Sequence, residues 1–109
     1  MKFKVEITQD FKKDSKRLLK KYSSLRNELE LLKDILVDNP FQGASIGHNC
    51  FKIRLAIASK SKGKSGGARI ITHVKIIGAT VYLLTIYDKS EFDSTSDVDI
   101  TNLLKQLPE

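Results

Sequence analysis

The 109-residue chain has one cysteine, two prolines and no tryptophan. A lone Cys50 excludes an intrachain disulfide, and no grouping of Cys, His and carboxylates has the spacing of a metal site. No metal and no cofactor is expected. No apolar run approaches the roughly 20 residues that cross a bilayer. Met1–Thr8 alternates charged with apolar residues and has none of the hydrophobic stretch of a signal peptide. A cytoplasmic protein without membrane contact is the expectation. The most telling absence is of negative charge. Between Asn39 and Tyr87 stand seven Lys or Arg residues and no Asp or Glu, while the rest of the chain holds 12 basic and 13 acidic side chains. The net charge of +6 is thus concentrated in one stretch. Charge sorted in this way repels itself and calls for an anionic partner, most often a phosphate backbone.

What is present reads as one domain over residues 1–109, 40% apolar, an ordinary globular composition. Lys2–Thr8 alternates with period two, as a half-buried strand does. Thr8 or Asp10 can cap a helix over Asp10–Tyr22 that turns Phe11, Leu18, Leu19 and Tyr22 inward and Lys12, Lys13, Lys16, Arg17, Lys20 and Lys21 outward. A second helix over Ser24–Asp38 carries Leu25, Leu29, Leu32, Ile35 and Leu36 at helical spacing and stops at Asn39-Pro40. Phe41–Asn49 reads as a connection. In the next strand Phe51, Ile53, Leu55 and Ile57 take one side and Lys52 and Arg54 the other. Ser59–Ala68 is a glycine-rich loop holding Lys60, Lys62 and Lys64. Arg69–Ile77 and Thr80–Tyr87, parted by Gly78-Ala79, form a hairpin. A last helix follows Ser94-Thr95-Ser96 and puts Ile100, Leu103, Leu104 and Leu107 on one face. The order β-α-α-β-β-β-α predicts an α+β fold: a small, mostly antiparallel four-stranded sheet, two N-terminal helices on one face, the other face open.

Strand parity brings the chemistry together. If Phe51, Ile53 and Leu55 meet the helices, Lys52 and Arg54 project from the open face, where the loop lysines, Arg69, Tyr87 and Lys89 can converge on one concavity. Such a surface suits a phosphodiester. Cleaving RNA through its own 2′-hydroxyl needs a base, a clamp for charge on phosphorus and an acid for the leaving oxygen. The planar fork of Arg69 suits the clamp. A lysine crowded by like charges gives up its proton more readily than an isolated one, so Lys52 is a candidate base. Tyr87 or Lys89 can donate the proton. Arg54, Lys60, Lys62 and Lys64 are expected to bind RNA. His73 shares the parity of Arg69 but lies about 13 Å further along at strand rise, so it is structural first and a general acid or base second. His48 reads as an exposed bystander, the lysines of the first helix as a solvated face.

The segments Phe51-Lys-Ile-Arg-Leu-Ala-Ile57, Ser61-Lys-Gly-Lys-Ser-Gly-Gly-Ala-Arg-Ile-Ile-Thr72 and Val81-Tyr-Leu-Leu-Thr-Ile-Tyr-Asp-Lys-Ser-Glu91 resemble the RelE/ParE toxin superfamily, nearest its HigB-like branch. The resemblance covers nearly the whole chain. It implies a RelE-like fold and a ribosome-dependent mRNA endoribonuclease that acts in the A site and is held in check by a cognate antitoxin protein. By that pattern Arg69 matches the arginine opening the third strand, Lys89 the basic residue after the last strand, and Lys52 and Arg54 the basic residues of the second. Some RelE-type members carry a further tyrosine in the C-terminal segment, whereas Phe92–Thr95 has none. The division of acid and base among Lys52, Tyr87 and Lys89 therefore stays open. Two other functions fit the same charge: a non-catalytic RNA- or ribosome-binding protein, and a ParE-like poison of a DNA topoisomerase.

Overall fold

A computed structural model of the chain describes residues 2–60, 66–91 and 97–108, with residues 97–99 as backbone only. The alternating N-terminal segment forms strand β1, Lys4–Ile7. Thr8 ends it and begins helix α1, Gln9–Lys21, because its Oγ1 accepts the Phe11 N–H at 3.3 Å. The same hydroxyl donates to the Leu83 carbonyl at 2.9 Å, which ties the helix start to the sheet. Phe11, Ser15 and Leu18 are buried, while Lys12, Lys13, Lys16, Lys20 and Lys21 are exposed. Helix α2, Leu25–Asp38, turns Leu25, Leu29, Leu32 and Leu36 inward. Ile35, expected in that stripe, is exposed, since Leu32 and Leu36 already fill the inward arc.

The sheet has five strands in the order β1-β5-β4-β3-β2, one more than the sequence indicates. The added strand is β2, Ala44–Gly47, paired antiparallel to β3, Cys50–Leu55. Four residues with one half-buried apolar side chain, Ile46, leave too little alternation to read. His48 and Asn49 both take φ of +57° between the paired Gly47 and Cys50, as the two central residues of a type I′ hairpin do. Before β2, a Cβ on Gly43 would run into the Lys52 carbonyl, so only glycine lets the chain approach β3 this closely. Strands β4, Ala68–Lys75, and β5, Thr80–Asp88, form the centre, β1 pairs with β5 in parallel, and α1–α2 carries the chain from β1 to β2 at the opposite edge. Ile76 and Ile77, expected to end β4, lie in the exposed turn instead.

Both faces of the centre are buried. Toward α1 and α2 lie Ile53, Ile70, Val74, Val81, Leu83 and Ile86. On the far side Cys50, Ile71, Leu84 and Tyr87 pack with Ile100 of helix α3, Asp97–Leu104, and with Leu103, Leu104 and Leu107. The expectation of an open second face is thereby corrected. The apolar stripe of α3 needs a partner, and the side chains alternating out of β3, β4 and β5 supply it. Arg54 and Arg69 lie outside that apolar cluster, beside Tyr87 at its edge. Among the described residues no helix is long and apolar enough to cross a membrane.

Leu36→Ala or Leu83→Ala, each removing a fully buried side chain, is expected to cost about 2–5 kcal/mol in urea unfolding. Ile77→Ala in the exposed turn is expected to stay within about 0.5 kcal/mol of wild type. Equal effects at core and turn would contradict the packing described.

Candidate functional site

Antiparallel register places Arg54 of β3 opposite Arg69 of β4, and Arg69 opposite Tyr87 of β5. These three side chains form a row across three strands on the face away from α1 and α2. Directly opposed residues have Cβ atoms about 4.5–5.5 Å apart, so two guanidinium-bearing residues and a phenol are immediate neighbours. Lys52 lies one step along on the same face of β3, in the rung with Ile71 and Thr85. Lys89 follows Tyr87 by two residues, in the turn just past β5. Four of the expected site residues (Lys52, Arg69, Tyr87 and Arg54) thus share one end of one face, with Lys89 at its margin.

The row is graded in depth. Arg54 is exposed and Lys52 half-buried, whereas Arg69 is 5% and Tyr87 7% exposed. Arg69 Nη1 donates to the Ala68 carbonyl at 3.1 Å, which turns the guanidinium back along its own strand. A charge enclosed in this way would act on an anion at the rim through lower dielectric than a solvated lysine does.

A β-bulge makes the row possible. Ile71 pairs with Thr85 and Thr72 with Leu83, which leaves Leu84 without a counterpart in β4. Val81 and Leu83 face the helices before the bulge and Ile86 faces them after it. Strict alternation would have sent Tyr87 into the helix-side core. The bulge sends it to the arginines. Thr85 Oγ1 donates to Asp14 Oδ2 of α1 at 2.6 Å and so fastens this irregular point from the helix side.

Lys60 sits elsewhere than expected. After β3 the chain makes a single 3-10 turn, Ala58–Lys60. Its start is held by α2, because Glu28 Oε2 accepts the Ala58 N–H at 2.6 Å and Ser24 Oγ accepts the Ser59 N–H at 2.9 Å. Lys60 then points into the protein and pairs with Asp88. Asp88 is fully buried and also accepts the Tyr22 hydroxyl at 2.6 Å and the Ser90 N–H at 3.0 Å and hydroxyl at 2.8 Å. Burial pushes the Asp88 carboxyl up, but the donors Lys60, Tyr22 and Ser90 together outweigh it and hold it well below the usual carboxylate range. The hydrogen bond to Asp88, with burial, raises Tyr22 in turn. Lys62 and Lys64 lie outside the described residues, as does the Phe92–Thr95 segment. The return from that loop is close-packed: a Cβ on Gly67 would strike the Leu55 carbonyl, and the Gly67 carbonyl accepts the Lys89 N–H at 3.0 Å.

His73 lies two rungs from Arg69, between Cys50 and Tyr82. The His48 carbonyl lies 3.0 Å from His73 Nδ1 and 3.5 Å from Cys50 Sγ and accepts from both. Nδ1 therefore carries the proton of the neutral ring. Burial lowers the His73 pKa against the opposing pull of that carbonyl, and burial pushes the Cys50 thiol up to about 11. The pair fastens the β2–β3 turn to β4, at a distance from the row. Sequence reasoning missed the role of Tyr22 and Asp88. The available signal was a lone Asp between Tyr87 and Lys89, whose parity has to point it the opposite way from Tyr87.

No family model matches the chain. Among solved structures, it is similar to an E. coli toxin RelE variant with two arginines replaced by alanine, in the free state. The TM-score is 0.62 at 15% sequence identity, covering 99% of this chain and 100% of that one. The chain has the RelE fold.

Asp88→Asn leaves Lys60 buried without a counter-charge and is expected to lower stability by about 3–5 kcal/mol at neutral pH. The sign of the pH dependence follows from the lowered carboxyl. The contribution of Asp88 is complete above an unfolded-state pKa of about 3.9 and is lost as pH falls below it. Urea unfolding between pH 7 and pH 3 should therefore show a steeper acid loss in wild type than in Asp88→Asn. Parallel pH profiles would refute the assignment.

Proposed function

We propose that the chain is the toxin of a toxin–antitoxin module and cleaves mRNA in the ribosomal A site. The observation that carries the reading is the Arg54–Arg69–Tyr87 row with Lys52 beside it and Lys89 at its margin. Similarity of fold to a protein named as a toxin supports it. A cation-lined strand end with a phenol has the parts that metal-independent cleavage by the substrate's own 2′-hydroxyl requires.

In this reading Arg54, with Lys62 and Lys64 of the glycine-rich loop, holds the backbone on either side of the scissile phosphate. Arg69 faces the two non-bridging oxygens, whose charge grows as phosphorus becomes five-coordinate. Lys52 or Lys89 takes the 2′-hydroxyl proton as the 2′-oxygen bonds to phosphorus. The bond to the 5′-oxygen breaks, and Tyr87 or the other lysine protonates that oxygen. The products are a 2′,3′-cyclic phosphate and a free 5′-hydroxyl. Lys60 has no part in binding substrate, because its ammonium is held by Asp88. The cognate antitoxin covers the cationic strand end with an acidic or apolar segment, and both act in the cytoplasm.

Brief induction in bacteria followed by primer extension should reveal new mRNA ends inside translated codons. Arg69→Ala should reduce them about 100- to 1,000-fold, the cost of removing one stabilising donor at an oxyanion. Wild-type ends persisting in Arg69→Ala would refute the clamp. DNA damage without new ends would point to a topoisomerase poison, and the absence of both to a passive RNA binder.

If about five phosphate contacts form with single-stranded RNA, log affinity should fall against log salt with a slope near roughly −3.5. Filter binding from low to high salt checks this. A slope near zero would contradict the electrostatic reading.

A further inference from the structure

The last two residues of β5 point to opposite sides of the sheet. Tyr87 belongs to the candidate cleavage face, Asp88 is buried on the helix side, and Lys89 follows at the margin of the face. Asp88 is held by groups from three separate parts of the chain: Tyr22 at the end of α1, Lys60 at the base of the glycine-rich loop, and Ser90 just beyond the strand. Lys60 also lies 5.7 Å from the centre of the Tyr22 ring, so the ammonium is fixed by the ring face as well as by the carboxylate. Both ends of the loop that carries Lys62 and Lys64 are tied at this point. The entering end is tied through Lys60 to Asp88. The leaving end is tied through the Gly67 carbonyl to the Lys89 N–H.

We infer that Asp88, with Lys60 and Tyr22, is the positioning device of the candidate cleavage site: it fixes Tyr87 and Lys89 in place and ties them to Lys60, where the chain enters the glycine-rich loop. The inference rests on the cleavage reading above. Asp88 itself touches no substrate. A buried carboxylate with this many donors has one low-energy arrangement, because moving it strands Lys60 or the Tyr22 hydroxyl without a partner. That arrangement dictates the backbone direction at residues 87–89. Reacting groups lose much of their effect when displaced by about 1 Å. The cluster therefore acts on turnover more than on substrate affinity, which is dominated by phosphate contacts along the whole cationic face.

Stability and positioning are separated by replacing the whole cluster with apolar groups of similar volume, Tyr22→Phe/Lys60→Met/Asp88→Leu. Such replacements of buried ion pairs are often neutral or stabilising. The triple variant should unfold near the wild-type midpoint, yet its kcat for RNA cleavage should stay at least about ten-fold down with KM within about two-fold. In amide hydrogen exchange, Lys89 should lose protection by about ten-fold or more while Ile70 and Ile86 keep theirs. Tyr22→Phe alone, which deletes one hydroxyl and spares the ion pair, should show a few-fold fall in kcat and faster Lys89 exchange. It keeps the test intact if the triple variant does not fold. Wild-type kcat together with wild-type Lys89 protection, in the triple variant or in Tyr22→Phe alone, overturns the inference. If wild type itself cleaves no RNA while Lys89 loses protection in the variants, the nuclease reading falls and the anchoring of this strand end stands.

Discussion

One unpaired residue in β5, Leu84, decides which side chains meet on the far face of the sheet. Strand side chains alternate strictly, so an insertion of one residue reverses the sides of everything after it. Before the bulge, Val81 and Leu83 fill the helix-side core. After it, Ile86 takes over that duty, Tyr87 turns to the arginines and Asp88 turns inward. The irregularity is held from the helix side at two points, Thr8 on the Leu83 carbonyl and Asp14 on the Thr85 hydroxyl. The bonds come from α1 and its N-cap. The first helix therefore does more than cover a core, because it fixes the point where the strand changes parity.

Burial on both faces explains how charge can collect at one end without unravelling the fold. The middle of the sheet is gripped between the α1–α2 pair and α3, with Ile70 and Ile71 fully buried on opposite sides. Arg54 and Arg69 stand directly opposed across β3 and β4. Like charges in that arrangement are unfavourable. The apolar rungs on either side of them, Ile53 with Ile70 and Leu55 with Ala68, keep the strands paired regardless. An anion at this strand end would lower that repulsion, as the proposed function requires.

Much of this was readable from residue order. Lys2–Thr8 and Phe51–Leu55 announce their strands by alternation, and the opposite parity of Lys52 and Arg54 to Phe51 and Ile53 holds in three dimensions. The helices lie within a residue or two of their expected bounds. The misses have physical causes. β2 is too short and too polar to alternate visibly. The covering of the second face depends on where α3 docks, which its own apolar stripe does not reveal. In sequence Tyr87 reads only as a residue at the strand margin, because the bulge that delivers it leaves no mark in a run of β-branched and aromatic residues. Lys60 looks no different from Lys62 and Lys64 in sequence. Only folding distinguishes it, by bringing it against Asp88.

That last distinction carries a more general constraint. A site built from Tyr87 on the strand and Lys89 just past it leaves the residue between them facing the core, where an apolar side chain would be the ordinary choice. This chain has an aspartate there, and an unpaired buried carboxylate is among the most costly groups a fold can contain. Its cation comes from the basic stretch itself, so one of the seven positive charges between Asn39 and Tyr87 is neutralised internally. The neutralised charge sits at the foot of the loop that carries two of the others. A hydrophobic residue at position 88 would fill the same space but accept no bond from the loop, the α1 terminus or Ser90. A carboxylate ties all three to the one strand end whose outward neighbours form the candidate site.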